Sequence, residues 1–260
     1  MTSPTPQVTG VILTLNEARH ITACIESLCW ADDLVVLDSY SQDATVELAR
    51  GAGARVYQHA FENYSQQRNV ALELTADADW IFFVDADERA TPELGAEIRE
   101  VIDGCKAVGW WVPRHNYIFG HRMRGAGWWP DYQLRLLRPD HAHYDPRRAV
   151  HEEAQLEGSA AHLTQPLIHY NYETLQEFHA RQQRYTDYDA RVLLEKGVRP
   201  RIYTPYTQVP RHFWWRFVTL QGWRDGFYGL LLSTLMAYYE MIKYRKARRL
   251  WRRHRYERCA

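Results

Sequence analysis

Apolar positions in the first hundred residues fall into two alternating patterns. Val8–Thr14 is a short, β-branched apolar run, and residues 18–29 then carry Ile21, Ile25 and Leu28 at helical spacing, so a strand is followed by a helix. The pair recurs. A strand over 34–38 precedes a helix over 44–51 stopped by glycine, and a strand over 54–58 precedes a helix over 65–75. Residues 80–84 form a further strand, apolar at nearly every position, as a strand buried on both faces would be. Such alternation predicts an α/β fold, a parallel sheet covered by helices on both sides.

Beyond Asp103 the rhythm changes. Residues 109–119 and 132–138 read as strands around a stretch rich in Gly and Trp at 120–130, which predicts mixed sheet and long loops. Residues 174–194 place Leu175, Phe178, Tyr185, Tyr188 and Val192 at helical spacing, and a break over 197–210 precedes a last helical block. The predicted division is one domain over 1–200, with halves at 8–105 and 106–200, and a helical extension over 201–260.

Composition changes this picture in two places. At 260 residues, 46% hydrophobic and 25% charged, the chain is long and apolar enough for one sizeable core, which excludes a disordered or fibrous class. Formal net charge is zero, yet 243–258 holds nine Lys and Arg against Glu257, so the preceding body is acidic. Cys24, Cys29, Cys105 and Cys259 have neither zinc-ligand nor disulfide-framework spacing, and residues 1–7 lack the features of a secretory signal; both predict a cytoplasmic protein. Residues 227–242 are apolar but too short to span a bilayer. Flanked by Trp and Tyr and followed by the basic run, they suit either the inner face of an anionic membrane or a helix docked on the catalytic domain or a second subunit. No motif points to nucleic acid.

In a parallel sheet ligands gather at the carboxyl ends of strands, which makes Asn16, Glu17, Asp38, Asp43, Asp85 and Asp87 the candidates. The central signal is Ile81-Phe82-Phe83-Val84-Asp85-Ala86-Asp87. Two carboxylates two residues apart face one side if the extended conformation persists, and could then share a hard cation, Mg²⁺ or Mn²⁺, that leaves positions for diphosphate oxygens. The alternative is a strand end followed by a helix cap near Thr91 and Pro92.

Four motifs in order carry a resemblance: Leu13-Thr14-Leu15-Asn16-Glu17, Leu37-Asp38-Ser39-Tyr40-Ser41-Gln42-Asp43, Gln67-Arg68-Asn69, and Val84-Asp85-Ala86-Asp87-Glu88. Over roughly residues 8–155 the chain resembles family 2 glycosyltransferases of the GT-A fold. Trp129-Pro130-Asp131-Tyr132-Gln133-Leu134-Arg135 followed by Val150-His151-Glu152 is similar to a bacterial lipopolysaccharide core glucosyltransferase-like subgroup. The resemblance implies a Rossmann-like, mostly parallel sheet and a metal-dependent, inverting transfer of a hexose, glucose from a UDP-glucose donor, to a lipid-linked saccharide acceptor of the cell envelope. By position it assigns Thr14, Leu15, Asn16 and Glu17 to nucleobase and ribose, Asp38 to the uracil edge, Arg68 to the diphosphate, and Asp85, Ala86 and Asp87 to nucleotide sugar and metal.

An inverting transfer needs one base. Glu152 matches that position, with Asp131 as competitor and Glu153 one register away. His151 would orient the base or approach diphosphate, or is a core or surface histidine. Arg135 and Arg138 reach phosphate or form salt bridges, and Trp128 and Trp129 stack on a sugar or anchor a loop. Arg68 has an alternative as a solvated helix residue, and Asp43 as a helix cap. A sugar nucleotidyltransferase would open with a Gly-rich phosphate loop, absent here. A non-catalytic nucleotide-sugar-binding protein would have no need of Asp85, Asp87 and Glu152. A homo-oligomer is compatible with all of these.

Overall fold

The structure is a computed structural model and describes residues 5–104, 106–146 and 154–257. Four strands, β1 (Val8–Thr14), β2 (Asp33–Asp38), β3 (Arg55–Gln58) and β4 (Trp80–Asp85), alternate with helices α1 (Ile21–Ser27), α2 (Thr45–Gly51) and α3 (Tyr64–Leu74). They pair in parallel in the order β3-β2-β1-β4. Side chains alternate across this sheet. Ile12, Val36, Phe82 and Val84 face a core shared with Ile21 and Ile25 of α1, with Leu28 just after that helix, and with Leu94 and Ile98 of α4 (Pro92–Val101). Their neighbours Val11, Val35, Ile81 and Phe83 face the other side, where α3 supplies Ala71 and Leu72. Both faces are dry, which explains why β4 reads as a continuous apolar run.

A short strand β5 (Glu88–Ala90) precedes α4, and then come β6 (Gly109–Ile118), β7 (His121–Arg122), β8 (Tyr132–Leu137), β9 (Ala142–His143), β10 (Gln155–Leu156), β11 (Ala160–His162) and β12 (Leu167–Tyr172). β8 lies antiparallel between β4 and β6, and β12 runs antiparallel to β5 with His169 opposite Glu88. The sheet is parallel in its first half and mixed beyond, flanked by helices: the α/β arrangement expected of a GT-A fold.

The last helices are α5 (Leu175–Glu195), α6 (Thr204–Trp214) and α7 (Gly226–Glu257). α5 starts on a capping box, in which Thr174 and Glu177 each satisfy the other's backbone N–H. The break predicted over 197–210 is shorter than that. Pro205 sits in the first turn of α6, where no N–H partner is required, so the helix starts at Thr204 and carries Pro210 inside it. α6 runs on into a π-helical turn over 215–219 and a 3₁₀ turn over 222–225 before α7.

The described residues pack as two compact units, the first holding residues up to His115 and Asp131–His169, the second holding Asn116–Pro130 and the chain from Tyr170 on. In the second, Phe178 of α5 and Leu232 and Tyr239 of α7 close a core with Ile118, Met123 and Tyr172. No helix among the described residues is long and apolar enough to cross a membrane.

Candidate functional site

β1 is the strand at which the direction of winding reverses: β2 and β3 lie on one side of it and β4 on the other. In open α/β sheets the crevice outside the carboxyl ends at such a point is where ligands bind. The register brings Thr14 beside Asp38 and Leu13 beside Asp85, so three of the predicted positions stand on consecutive strands at one edge.

The loops after β1 and β2 are stitched together. The Asn16 N–H donates to Ser41 Oγ (2.7 Å), the Gln42 N–H to Asn16 Oδ1 (2.8 Å) and the Glu17 N–H to Thr45 Oγ1 (2.8 Å). Asn16 adopts φ 56°, a left-handed conformation that Asn tolerates better than most residues. Asp38 is fully buried and accepts from the Ser41 N–H (2.9 Å), the Ser41 hydroxyl and Gln58 Nε2 (3.1 Å). Asp43 is not the helix cap that its sequence context suggests. It accepts from the Thr45 hydroxyl and N–H and from the Ala18 N–H, an Asx turn that ties the two loops together. The Thr45 hydroxyl, first among these, holds Asp43 below the ordinary carboxylate range. Leu15 is exposed at the rim, and Thr14 Oγ1 is buried with no hydrogen-bond partner among the described residues.

At β4 the condition attached to the paired carboxylates fails, because the extended conformation ends at Asp85 and residues 86–87 turn the chain into β5. The two acids therefore have different partners. Asp85 faces both terminal nitrogens of Arg135, with Arg68 Nη2 at 3.9 Å. Burial opposes its charge, but Arg135 and then Arg68 outweigh that and hold it well below the usual carboxylate range. Asp87 lies instead 3.5 Å from His169 Nε2, and Ala86 is buried, its carbonyl accepting from Arg89 Nη1 (2.8 Å).

Behind the turn lies a buried ionic network. Glu88 is 0% exposed and accepts from Arg135 Nη2 (2.7 Å), Arg114 Nη1 (3.0 Å) and the Asp85 N–H (2.9 Å). Arg114 in turn grips Asp131 with Nε (3.0 Å) and Nη2 (2.6 Å), while Gln133 donates to its other oxygen (2.9 Å). Burial works against the charge on Arg135 and Arg114, and the carboxylates around them more than restore it. Arg135 is thus committed to Asp85 and Glu88, and exposed Arg138 pairs with Asp140 at 2.9 Å. Arg68 is not a solvated helix residue: it is buried, its guanidinium 5.0 Å from the Phe83 ring centroid and 5.8 Å from that of Tyr144.

For a divalent cation the donor set divides in the same way. Asp87 and His169 offer a carboxylate oxygen and an imidazole nitrogen within 3.5 Å of each other, both largely buried. Two such ligands leave most of an octahedron to diphosphate oxygens and water, as Mg²⁺ and Mn²⁺ prefer. No cluster of three or more candidate ligands exists among the described residues, so the cation would depend on its nucleotide.

Trp128 belongs to the second unit, where its carbonyl accepts from Asn116 Nδ2 (2.9 Å), its ring meets Tyr172 edge-on at 6.2 Å and Arg216 lies 5.7 Å from its centroid; it is a packed anchor of that loop. Trp129 is half-buried in the same loop and precedes a cis peptide to Pro130. Glu152, Glu153 and His151 lie outside the described residues. His169, Glu88 and Arg114 are not among the residues that the sequence singles out. Glu88 directly follows Asp87 at the end of the 84–88 motif; His169 carries no local signal, since only the β5–β12 register brings it to Asp87.

Comparison with known proteins bears on the same residues. The chain is 29% identical over 258 residues to the lipopolysaccharide core biosynthesis glycosyltransferase LpsC of Rhizobium meliloti (strain 1021), an alignment covering 96% of this chain and 94% of that one. An uncharacterized glycosyltransferase of Rickettsia bellii (strain RML369-C) is 24% identical over 95% of this chain and 87% of its own length. Among solved structures, glucosyl-3-phosphoglycerate synthase from Mycobacterium tuberculosis, in complex with Mn²⁺, UDP-glucose and glycerol 3-phosphate, matches with TM-score 0.37 at 23% identity; the match covers 43% of this chain and less than half, 44%, of that one. The model of the family described as "Glycosyl transferase family 2" matches residues 10–152, which take in the carboxyl ends of β1, β2 and β4. The chain belongs to glycosyl transferase family 2.

Proposed function

We propose that the chain transfers a hexose, glucose from a UDP-glucose donor, with inversion onto a sugar of a lipid-linked cell-envelope acceptor such as lipopolysaccharide core. The observation that carries this reading is the alignment of Thr14, Asp38 and the 85–87 turn along adjacent strand ends at the switch point. Buried Asp38 and the Thr14 hydroxyl, which has no partner among the described residues, offer an acceptor and a donor to a nucleoside, and the 85–87 turn lies where a diphosphate would follow. The acceptor class rests on the likeness to LpsC along nearly the whole chain. A lipid-linked acceptor would bring the enzyme to the inner face of the cytoplasmic membrane.

In this mechanism the base takes the proton of an acceptor hydroxyl as its oxygen attacks the anomeric carbon, and the bond to the diphosphate breaks on the opposite side. Glu152 is assigned this role. Asp131 is the weaker choice, because Arg114 and Gln133 already donate to its two oxygens. Asp87, with His169 beside it, would hold Mg²⁺ or Mn²⁺, which when bound offsets charge on the departing diphosphate. Arg68 and Arg135 keep Asp85 ionised next to that turn. Asp87→Ala should lower turnover of UDP-glucose by about 10²–10³-fold in the presence of Mn²⁺; unchanged nucleotide release would remove the metal assignment. Glu152→Gln should still bind UDP, by calorimetry, and lose transfer. If it keeps full activity, the base is Asp131.

A further inference from the structure

The second unit has a surface chemistry of its own. Between Glu195 and Glu240 the sequence holds a single acid, Asp225, and it is buried, accepting from the Arg124 N–H (2.9 Å) and facing His121 at 3.2 Å. Arg199, Arg201, Arg211 and Arg224 over the same stretch are exposed. The stretch thus shows cations to solvent and no carboxylate.

It also shows rings. Along α6 and its π-helical turn the exposed positions recur at helical spacing and are mostly apolar, Tyr206, Pro210, Trp214 and Val218, with Arg211 among them. Trp214 is 63% exposed, and in the elbow leading into α7 Trp223 is 58% and Phe227 71% exposed, so more than half of each ring lies in water. These rings are not on a slack loop. A Cβ on Gly229 would stand 1.7 Å from the Gly222 carbonyl oxygen, and one on Gly125 2.4 Å from that of Gln221, so the elbow is held by backbone contacts that only glycine permits. Farther into α7, Leu232, Ala237 and Tyr239 are buried, while Tyr238 between them stays 46% exposed.

Farther along α7, Arg191, Lys246, Arg249, Arg252 and Arg253 line a cavity of about 440 Å³ with one carboxylate, Asp187, which Lys246 already pairs at 2.8 Å. The four arginines give the cavity a net positive charge that suits phosphate oxygens.

We infer that the outer face of α6 and the elbow is a docking surface for an anionic lipid bilayer, with its tryptophans and Phe227 at the headgroup boundary and the arginine cavity taking lipid phosphate groups. Amphipathic rings interleaved with Arg favour the interfacial zone, and the stretch between Glu195 and Glu240, which exposes no carboxylate, adds no repulsion from anionic headgroups. A second copy of the chain fits poorly, since the charges on this face are of one sign and would oppose their own copies. The inference goes beyond the transfer chemistry and does not depend on which sugar is moved.

The test is co-sedimentation of the full chain with phosphatidylcholine vesicles, with and without phosphatidylglycerol. The chain should bind the anionic vesicles. A Trp214→Ala, Trp223→Ala, Phe227→Ala variant should bind at least about tenfold more weakly with an unchanged circular dichroism spectrum. Arg252→Ala with Arg253→Ala should lose most of the preference for phosphatidylglycerol. Asp87→Ala should sediment as the native chain does, so failure of the catalytic assignment and failure of docking are separately visible. Absence of binding by the native chain, equal binding by the triple variant, or concentration-dependent self-association abolished in the triple variant without any vesicle binding would each overturn the inference.

Discussion

The two units place charges and rings in opposite positions. In the first, ions are inside: Glu88 is fully buried between Arg114 and Arg135, whose partners Asp131 and Asp85 extend the chain of charges to the strand ends. In the second, large rings are outside, with Trp214, Trp223 and Phe227 mostly in water while the core is closed by Phe178, Leu232 and Tyr239. Neither arrangement is what folding stability alone selects. Buried ion pairs are often no better than apolar replacements, and exposed rings forgo their transfer free energy. The difference teaches what each unit gives up stability for: fixed charge at the strand ends of one, and uncovered apolar area on the other.

The sharpest way to break this contrast is to remove one charge from the first unit and one ring from the second. Glu88→Leu leaves Arg114 and Arg135 short of their shared carboxylate in a site closed to water. It should lower unfolding free energy in urea by about 3–5 kcal/mol. Trp223→Ser should change it by no more than about 0.5 kcal/mol, because the ring is 58% exposed. If the two values came out alike, the rings of the second unit would be part of its core and the network of the first would not hold its turn in place.

The units should also differ in their response to pH. Tyr172 of the second unit is buried, and burial followed by Tyr185 pushes its hydroxyl up to about 12. A raised folded pKa contributes stability that is complete below the unfolded value near 10 and is lost as pH rises from there toward 12. That loss is on the order of 2–3 kcal/mol, and Tyr172→Phe should remove it. In the first unit Asp32 is depressed: burial opposes its charge, but Arg99 and the Val8 N–H outweigh it. Its contribution is present above the unfolded value near 3.8 and is lost as pH falls below it. Urea midpoints against pH should therefore show Tyr172→Phe departing from the native chain only as pH rises above about 10, and Asp32→Asn lying below the native chain at neutral pH and rejoining it as pH falls into the acid range.

What was legible in the sequence follows the range of the forces involved. β1 to β4 and α1 to α3 could be read because each is a local period of apolar residues, and both faces of that sheet are buried. Asp38, Asp85 and Asp87 were findable as the polar residues that end those runs. The division of labour between Asp85 and Asp87 was not, because it depends on a turn at 86–87 and on Arg135 arriving from β8, fifty residues later. His169 depends in the same way on a strand-pairing register. The exposed face of α6 was hidden by its prolines, which read locally as a break although Pro205 only starts the helix.

The finest test lies between stability and binding at a single atom. Thr14 ends β1 with its hydroxyl buried and without a partner among the described residues, next to Asp38 in the sheet register. Thr14→Val keeps the β-branched shape that a strand favours and deletes the orphan hydroxyl, so the free protein should gain about 1 kcal/mol. If the hydroxyl is kept for a nucleotide, UDP affinity should fall about three- to tenfold in the same variant, the value of one ordinary hydrogen bond. Urea unfolding and calorimetric titration with UDP should therefore move in opposite directions. Movement in the same direction would mean that the hydroxyl serves the fold, and would leave Asp38 as the polar group at this edge with a claim on the nucleoside.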